Sequence, residues 1–319
     1  MWQSTMSWEN AQKRAALLMQ LRAFFYERGV IEVETPLLSA GTVTDVHLDA
    51  FATDYQFPVG KQSLYLQTSP EFAMKRLLAS GYQSIFQLCK AFRDEPFGRY
   101  HNPEFTMLEW YRIGFDHFEL MDEVDLLLQS LLGCDEATRM SYQDAFLTYT
   151  HIDPLNCSCG QLVEFLKDKD KADDWLISSP DLDTLLQFIF CEFVEPNIGK
   201  LQPALVYDFP ASQASLAKIS TEDPRVAHRF ECYFKGVELA NGFNELTSHE
   251  IQESRFNHDN RKRASMNLDE KPIDKKFLSA LEHGLPQCAG VALGVDRLIM
   301  LALGCDHIEQ VLSFTIENA

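Results

Sequence analysis

The 319-residue sequence has no apolar run of the roughly 18–20 residues that a membrane-crossing helix needs. Its longer runs, such as Ala15–Met19 and Leu298–Leu303, stop far short of that. The N-terminus lacks the basic region, apolar run and small-residue cleavage site of a secretory signal, so a cytoplasmic location is expected. No glycine-rich phosphate loop of the GxxxxGK[ST] type is present. Paired Cys-x-x-Cys motifs are missing too, and the eight cysteines are scattered. They read as reduced, mostly buried thiols. Cys157-Ser-Cys159 is the one close pair, and nothing nearby completes a metal half-site. Positive charge is scarce: 28 Lys and Arg stand against 47 Asp and Glu, a net charge of −19. This argues against broad nucleic-acid binding, which draws its affinity from basic contacts to phosphates. The local basic stretches, Lys75-Arg76 and Arg261-Lys262-Arg263, read as solvated helix faces.

What is present suits a large core, since 46% of the residues are hydrophobic. Residues 8–28 carry Leu17, Leu18, Leu21, Phe24 and Phe25 on one helical stripe, ended by Gly29. Val30–Glu34 then alternates as a strand does, closed by Pro36. Short strands are expected over 46–68, with turns around Pro58 and Gly60. In "TSPEFAMKRLLASG", Ser69 caps a helix that Pro70 opens and Gly81 stops. Ile85–Phe92 and Phe105–Ile113 read as strands joined by a loop at 97–103. From Phe118 to about Lys200 the pattern is mainly helical, an insertion with polar breaks at 133–141, 151–160 and 168–180. Strands resume near Leu205–Tyr207 and over Arg229–Leu239, with helices over 248–266 and 273–283. Gly290–Val295 then leads into an apolar helix at 296–304. Strands at both ends with helices between predict an α+β fold: an antiparallel sheet flanked by helices, in a single domain over 1–319.

Three stretches do not read as packing alone. Arg93–Tyr111 crowds arginine, acids, histidine and aromatics together. "ECYFKGVELANGFNEL", Glu231–Leu246, spaces Glu231, Glu238 and Glu245 seven residues apart. On a strand, Glu231 and Glu238 share a face only if a turn or bulge intervenes, and Gly236 could supply one. Beside a phosphate, two such acids make sense with Mg²⁺ between them; the alternative is three solvated acids. In "GVALGVDR", Gly290–Arg297, the glycines at 290 and 294 would let backbone approach a flat ligand, with Arg297 projecting from a helix start.

In this order the stretches resemble the signature motifs of class II aminoacyl-tRNA synthetases. "RAFFYERGVIEVETPLL" resembles the first motif, which usually builds a homodimer interface. "FRDE…RYHNPEFTMLEWY" resembles the second and "GVALGVDRLIML" the third, with the lysyl-tRNA synthetase branch most similar. The resemblance implies that Arg93 binds the α-phosphate and substrate carboxylate and that Arg297 holds the γ-phosphate of ATP. It implies that Glu95, His101, Asn102 and Phe105 frame ATP, with Glu238, Leu239 and Gly294 in the same site, and that Glu231 and Glu238 hold Mg²⁺. Glu109, Tyr111 and Glu245 would receive a side-chain ammonium, while Ser69, Glu71 and Asn241 contact the amino and carboxylate end.

Two departures from the synthetase pattern matter. The first motif begins almost at the N-terminus, so an anticodon-binding domain is expected to be absent and stable tRNA binding is not expected. Ala292 also stands where lysyl-tRNA synthetases keep glycine, GxGxGxDR. One methyl shifts discrimination by about 1–3 kcal/mol, so a lysine isomer with a displaced amino group, such as (R)-β-lysine, is expected in place of α-lysine. "VEPNIGK" (194–200) and "FPASQASLA" (209–217) resemble a branch of the family whose acceptor is a lysine of translation elongation factor P. The alternatives are a truncated tRNA-lysylating enzyme and a non-catalytic paralogue.

Overall fold

A computed structural model describes residues 2–57, 60–178 and 180–319; the expected turn at Pro58 lies outside the described residues. The chain begins with α1 (Trp8–Glu27), β1 (Ile31–Glu32), β2 (Leu38–Ser39), β3 (Ala52–Phe57), β4 (Gly60–Leu66) and α2 (Glu71–Ala79). Strands β5 (Ile85–Phe92) and β6 (Glu104–Ile113) flank a loop. Then come α3 (His117–Leu132), β7 (Thr138–Ser141), α4 (Tyr142–Thr150), α5 (Cys159–Asp168), α6 (Asp174–Ile177) and α7 (Leu182–Ile189). The last part holds β8 (Ala204–Pro210), β9 (Val226–Phe234), β10 (Val237–Asn244), α8 (His249–Ser265), α9 (Lys275–His283), β11 (Cys288–Gly294) and α10 (Val295–Ala302).

Among the described residues, the main sheet runs β1-β5-β6-β11-β10-β9-β8-β7, and β2, β4 and β3 form a smaller one. The main sheet is antiparallel through its centre, as expected, but its outermost pairs, β1 with β5 and β7 with β8, are parallel. Its first strand is shorter than the alternation over 30–34 suggests, because only Ile31 and Glu32 pair with β5.

Residue alternation assigns the two faces of this sheet. Leu108 and Trp110 of β6, Phe230 and Cys232 of β9, and Val291 and Leu293 of β11 point into one core. Against them pack Leu21, Phe24 and Phe25 of α1, the Leu120–Leu131 stripe of α3, and Leu298 and Ile299 of α10. Helix α3 is well terminated: Asp116 accepts from the backbone of Phe118 and Glu119, and Gly133 closes it at φ +62°. The opposite face carries α2, α8 and α9, joined through Met74, Leu78, Phe256, Phe277 and Leu281.

The stretch 118–200 divides between these layers. Helix α3 belongs to the main core. Strand β7 sits in the expected polar break and extends the sheet. Helices α4, α5 and α7 form a second cluster on β8, where Val206 faces them while Leu205 faces the main core.

Arg229–Leu239 proves to be a hairpin and not one strand. Lys235 and Gly236 both take positive φ, 51° and 75°, the paired left-handed turn whose twist matches two antiparallel strands. The cysteines are all free, but only Cys232 and Cys288 are buried, fewer than expected. The two basic stretches are not plain solvated faces either. Arg263 is buried, donating to the carbonyls of Asp45 and Asp269 and to Asp49. Lys75 is buried as well.

Candidate active site

The strand alternation that builds the core on one face leaves a cavity of about 870 Å³ on the other. Its floor is β6, β11, β10 and β9. Hairpin β9–β10 shows how two distant glutamates reach one face. Gly236 supplies the turn, and a register shift between Glu238 and Ala240 supplies a bulge. Glu231 before the turn and both Glu238 and Asn241 around the bulge therefore line the same cavity.

One end of the cavity is acidic. Glu71 opens α2, Glu109 lies on β6, and Glu245 follows β10. Lys75 Nζ lies 2.5 Å from both Glu71 and Glu245. Glu109 accepts from the hydroxyls of Ser69 and Tyr111, each at 2.6 Å. Ser69 also accepts from Glu71 N–H, but α2 starts at Glu71, so the N-cap position falls to Pro70 and Ser69 stands one residue before it, not at the cap as expected. Three carboxylates thus share one ammonium. Burial, then repulsion from Glu71, pushes Glu109 up to about 7. Burial likewise pushes Glu245 up to about 8, with Lys75 opposing it. The pocket is short of positive charge and suited to a cationic ligand group.

Lys75 is the residue that the sequence reading missed, although a signal was present. Glu71, Met74, Lys75 and Leu78 fall at i, i+3, i+4 and i+7, which puts the lysine in the buried stripe of α2. Arg229 and Tyr233 were missed too; with Glu231 they alternate along β9 and face the cavity.

Glycine and alanine on β11 shape the floor. Gly290 lies between Phe243 of β10 and Tyr111 of β6. A Cβ there would collide with the Tyr111 ring and the Glu245 carboxylate. Its bareness therefore makes room for the protein's own side chains, while its backbone still lines the cavity. At Gly294 an added Cβ would meet Arg297 only at ordinary contact distance, 3.5 Å. Ala292 pairs with Asn241 on one side and Glu109 on the other and presents its methyl to the cavity.

The other end is basic. Arg93 projects into the cavity, its guanidinium 5.2 Å from the Phe105 ring. Its Nε is buried without a hydrogen-bond partner. Burial lowers its pKa, opposed by Glu95 and Glu238. Arg297 and His101 do not line the cavity but stand next to it: Arg297 donates to the carbonyls of cavity-lining Glu238 (2.9 Å) and of Tyr100 (3.2 Å) and lies 2.6 Å from His101 Nε2. Desolvation, then the charge of Arg297, holds His101 below its usual range, so a neutral ring accepts from the guanidinium.

Some predicted residues are placed elsewhere or already engaged. The Leu239 side chain is buried in the main core. Asn102 accepts from Ile316 N–H and donates to the Glu104 carbonyl, tying the second-motif loop to the C-terminal segment. Glu231 is held by Arg229, Tyr233 and Asn241 (3.1 Å), and burial raises its pKa against the pull of Arg229. Among the described residues, no third ligand joins Glu231 and Glu238 in a metal cage.

Six central antiparallel strands, β5-β6-β11-β10-β9-β8, with an arginine on the loop after β5, another in the first turn of α10 and an acidic pocket between, define a class II synthetase catalytic fold. The chain belongs to the family described as tRNA synthetases class II (D, K and N), which it matches over residues 2–318. Among curated relatives, the elongation factor P--(R)-beta-lysine ligase of Salmonella typhi is 55% identical over 320 residues, covering 100% of this chain and 98% of that protein. The protein of the same name from Salmonella arizonae matches with the same identity and coverage.

Proposed function

We propose that this protein is an ATP-dependent ligase that activates (R)-β-lysine and transfers it to the ε-amino group of a lysine on translation elongation factor P. The observation that carries this reading is the cavity itself. At one end of the cavity lies a carboxylate cluster short of positive charge, and at the other a guanidinium whose Nε is buried without a partner, in a chain 55% identical to two such ligases along its whole length.

In the first step a carboxylate oxygen of the amino acid bonds to the α-phosphorus of ATP, and pyrophosphate leaves with the electrons of the broken P–O bond. Arg93 is placed to hold the α-phosphate and the incoming carboxylate, and its free Nε–H gains a partner as charge develops there. Arg297, fixed by His101 and two carbonyls, takes the γ-phosphate, and Phe105 stacks on adenine beside Arg93. Glu109, Tyr111 and Glu245 hold the side-chain ammonium, while Ser69, Glu71 and Asn241 orient the rest of the amino acid. In the second step the acceptor amine bonds to the activated carbonyl carbon, AMP leaves, and the amine gives up a proton. Positioning and electrostatics carry the rate, so no protein nucleophile is needed.

Mg²⁺ fits an ion shared with substrate phosphates better than a protein cage. Glu238 and the remaining lone pair of Glu231 Oε2 would hold it, and its charge would offset that of the phosphates when bound. Homodimer formation through the first motif is supported by exposed Met19, Tyr26, Ile31 and Leu38 around α1 and the strands after it. A cytoplasmic site of action accords with the acceptor; among the described residues, no helix is long and apolar enough to cross a membrane. We read 1–319 as one catalytic domain, with the helices of 142–198 as its distinct cluster, and expect no stable tRNA complex.

Mass spectrometry of elongation factor P after incubation with enzyme, ATP, Mg²⁺ and either lysine isomer tests the proposal. The expected result is one added lysyl mass, stronger with (R)-β-lysine. No added mass with that isomer, or charging of tRNA instead, overturns it.

A further inference from the structure

On the face of the sheet away from the cavity, two histidines and an aspartate converge. His117 is the first residue of α3, Asp208 lies in β8, and His228 lies in β9 beside cavity-lining Arg229 and so points the other way. One nitrogen of each imidazole and one Asp208 oxygen all lie within 4.8 Å of one another. Asp208 Oδ1 is 3.5 Å from His117 Nε2 and 3.3 Å from His228 Nδ1. Ligands bound at about 2.0–2.1 Å around a tetrahedral ion stand about 3.3 Å apart, so both separations match an edge of that polyhedron.

The group is incompletely satisfied without a ligand. His117 is only 3% exposed, yet neither of its ring nitrogens has a hydrogen-bond partner. Buried polar atoms of that kind are rare and costly. Asp208 has φ +58°, in the left-handed region, where the register of β8 against β9 shifts between Tyr207 and Phe209. This irregularity turns its carboxylate toward the histidines.

We propose that His117, Asp208 and His228 form a binding site for a Zn²⁺-type transition-metal ion that ties the start of α3 to β8 and β9. Two imidazoles with one carboxylate select such an ion over Mg²⁺, which prefers oxygen ligands. The rings stack at 4.5 Å and 24°. The terminal torsion of the more exposed His228 ring is soft, so the ring can reorient toward a shared ion. Asp208 and His228 keep about a quarter of their side-chain surface exposed, 25% and 23%, which leaves a solvent-side position for a water ligand.

The test uses the full chain stripped with chelator and titrated with Zn²⁺ by calorimetry, and with Co²⁺ for its visible spectrum. The expected result is one saturable equivalent, ligand-field bands of low coordination number with Co²⁺, and a higher unfolding temperature with Zn²⁺. His228→Ala and Asp208→Asn should each weaken binding by at least about ten- to a hundredfold, the scale seen even for loss of a ligand's supporting partner. A Cys157→Ser/Cys159→Ser double variant should bind as the wild type does. The absence of saturable binding, unchanged affinity in both ligand variants, or loss of binding in the cysteine variant overturns the proposal.

Discussion

At the acidic end of the cavity the protein supplies its own counter-charge: Lys75 lies between Glu71 and Glu245, and Ser69 and Tyr111 serve Glu109. At the basic end Arg93 keeps a buried Nε–H without a partner, while Arg297 is braced by two carbonyls and His101. On the proposed function, the difference follows from what each end would hold. A single ammonium needs a pocket with a slight excess of negative charge, and three unpaired buried carboxylates would be too costly to fold. A triphosphate carries several charges and brings its own cations, so a guanidinium left open for it is tolerable.

The largest expected effect breaks the acidic end. Lys75→Met removes one partner of a buried ion cluster and should cost about 3–5 kcal/mol of folding stability, measured by urea unfolding. Stability within 1 kcal/mol of wild type would show that the carboxylates need no internal cation.

Breaking the basic end should do the reverse, harming chemistry and sparing the fold. Arg93→Ala should lower the turnover of ATP–pyrophosphate exchange by about 100- to 1,000-fold, or about 2.7–4 kcal/mol. The same urea curves should show stability unchanged or higher, since a buried unpartnered donor is lost. Equal losses in both assays would make Arg93 a structural residue.

Ala292→Gly sharpens the acidic end. It should move the ratio of kcat/KM for β-lysine over α-lysine by about 1–3 kcal/mol toward α-lysine, read from adenylate exchange with each isomer. An unchanged ratio would remove the methyl from the account of specificity.

The smallest effect is a pH dependence. Glu109 holds its proton more tightly in the folded chain, at about 7, than at its ordinary 4.5. Its contribution to the stability of the ligand-free protein is therefore largest below about 4.5 and is lost as pH rises toward 7. An ammonium ligand must displace that proton, so its affinity should improve by up to about tenfold per pH unit below 7 and level off above about 8. Equilibrium binding across pH 5.5–8.5 should show this slope in the wild type, and Glu109→Gln should flatten it.

Helices α1, α8 and α9, strands β5 and β6, and the three motif stretches were legible because local pattern determines them: an apolar stripe of period 3.6, a cap, a glycine stop. The possibility of a turn at Gly236 was legible too. What local pattern could not give was pairing between distant segments. The hairpin at Lys235–Gly236 was hidden because strand-like alternation of polar and apolar residues continues on both sides of it. Strand β7 is only four residues long and exists because β8 lies beside it. Asn102 looks like a nucleotide contact until the C-terminal segment takes its side chain.

By itself, then, the sequence determined the family and the order of its chemistry, because motif residues have fixed identities and appear in fixed order along the chain. Tertiary structure decided which charges meet. Lys75 belongs among the carboxylates of β6 and β10 only once α2 docks on the sheet, and Glu231 gains its partners only once Arg229, Tyr233 and Asn241 share its face. Charge pairing depends on distances of a few ångströms between residues far apart in the chain, 170 for Lys75 and Glu245, and no sequence spacing encodes such a distance.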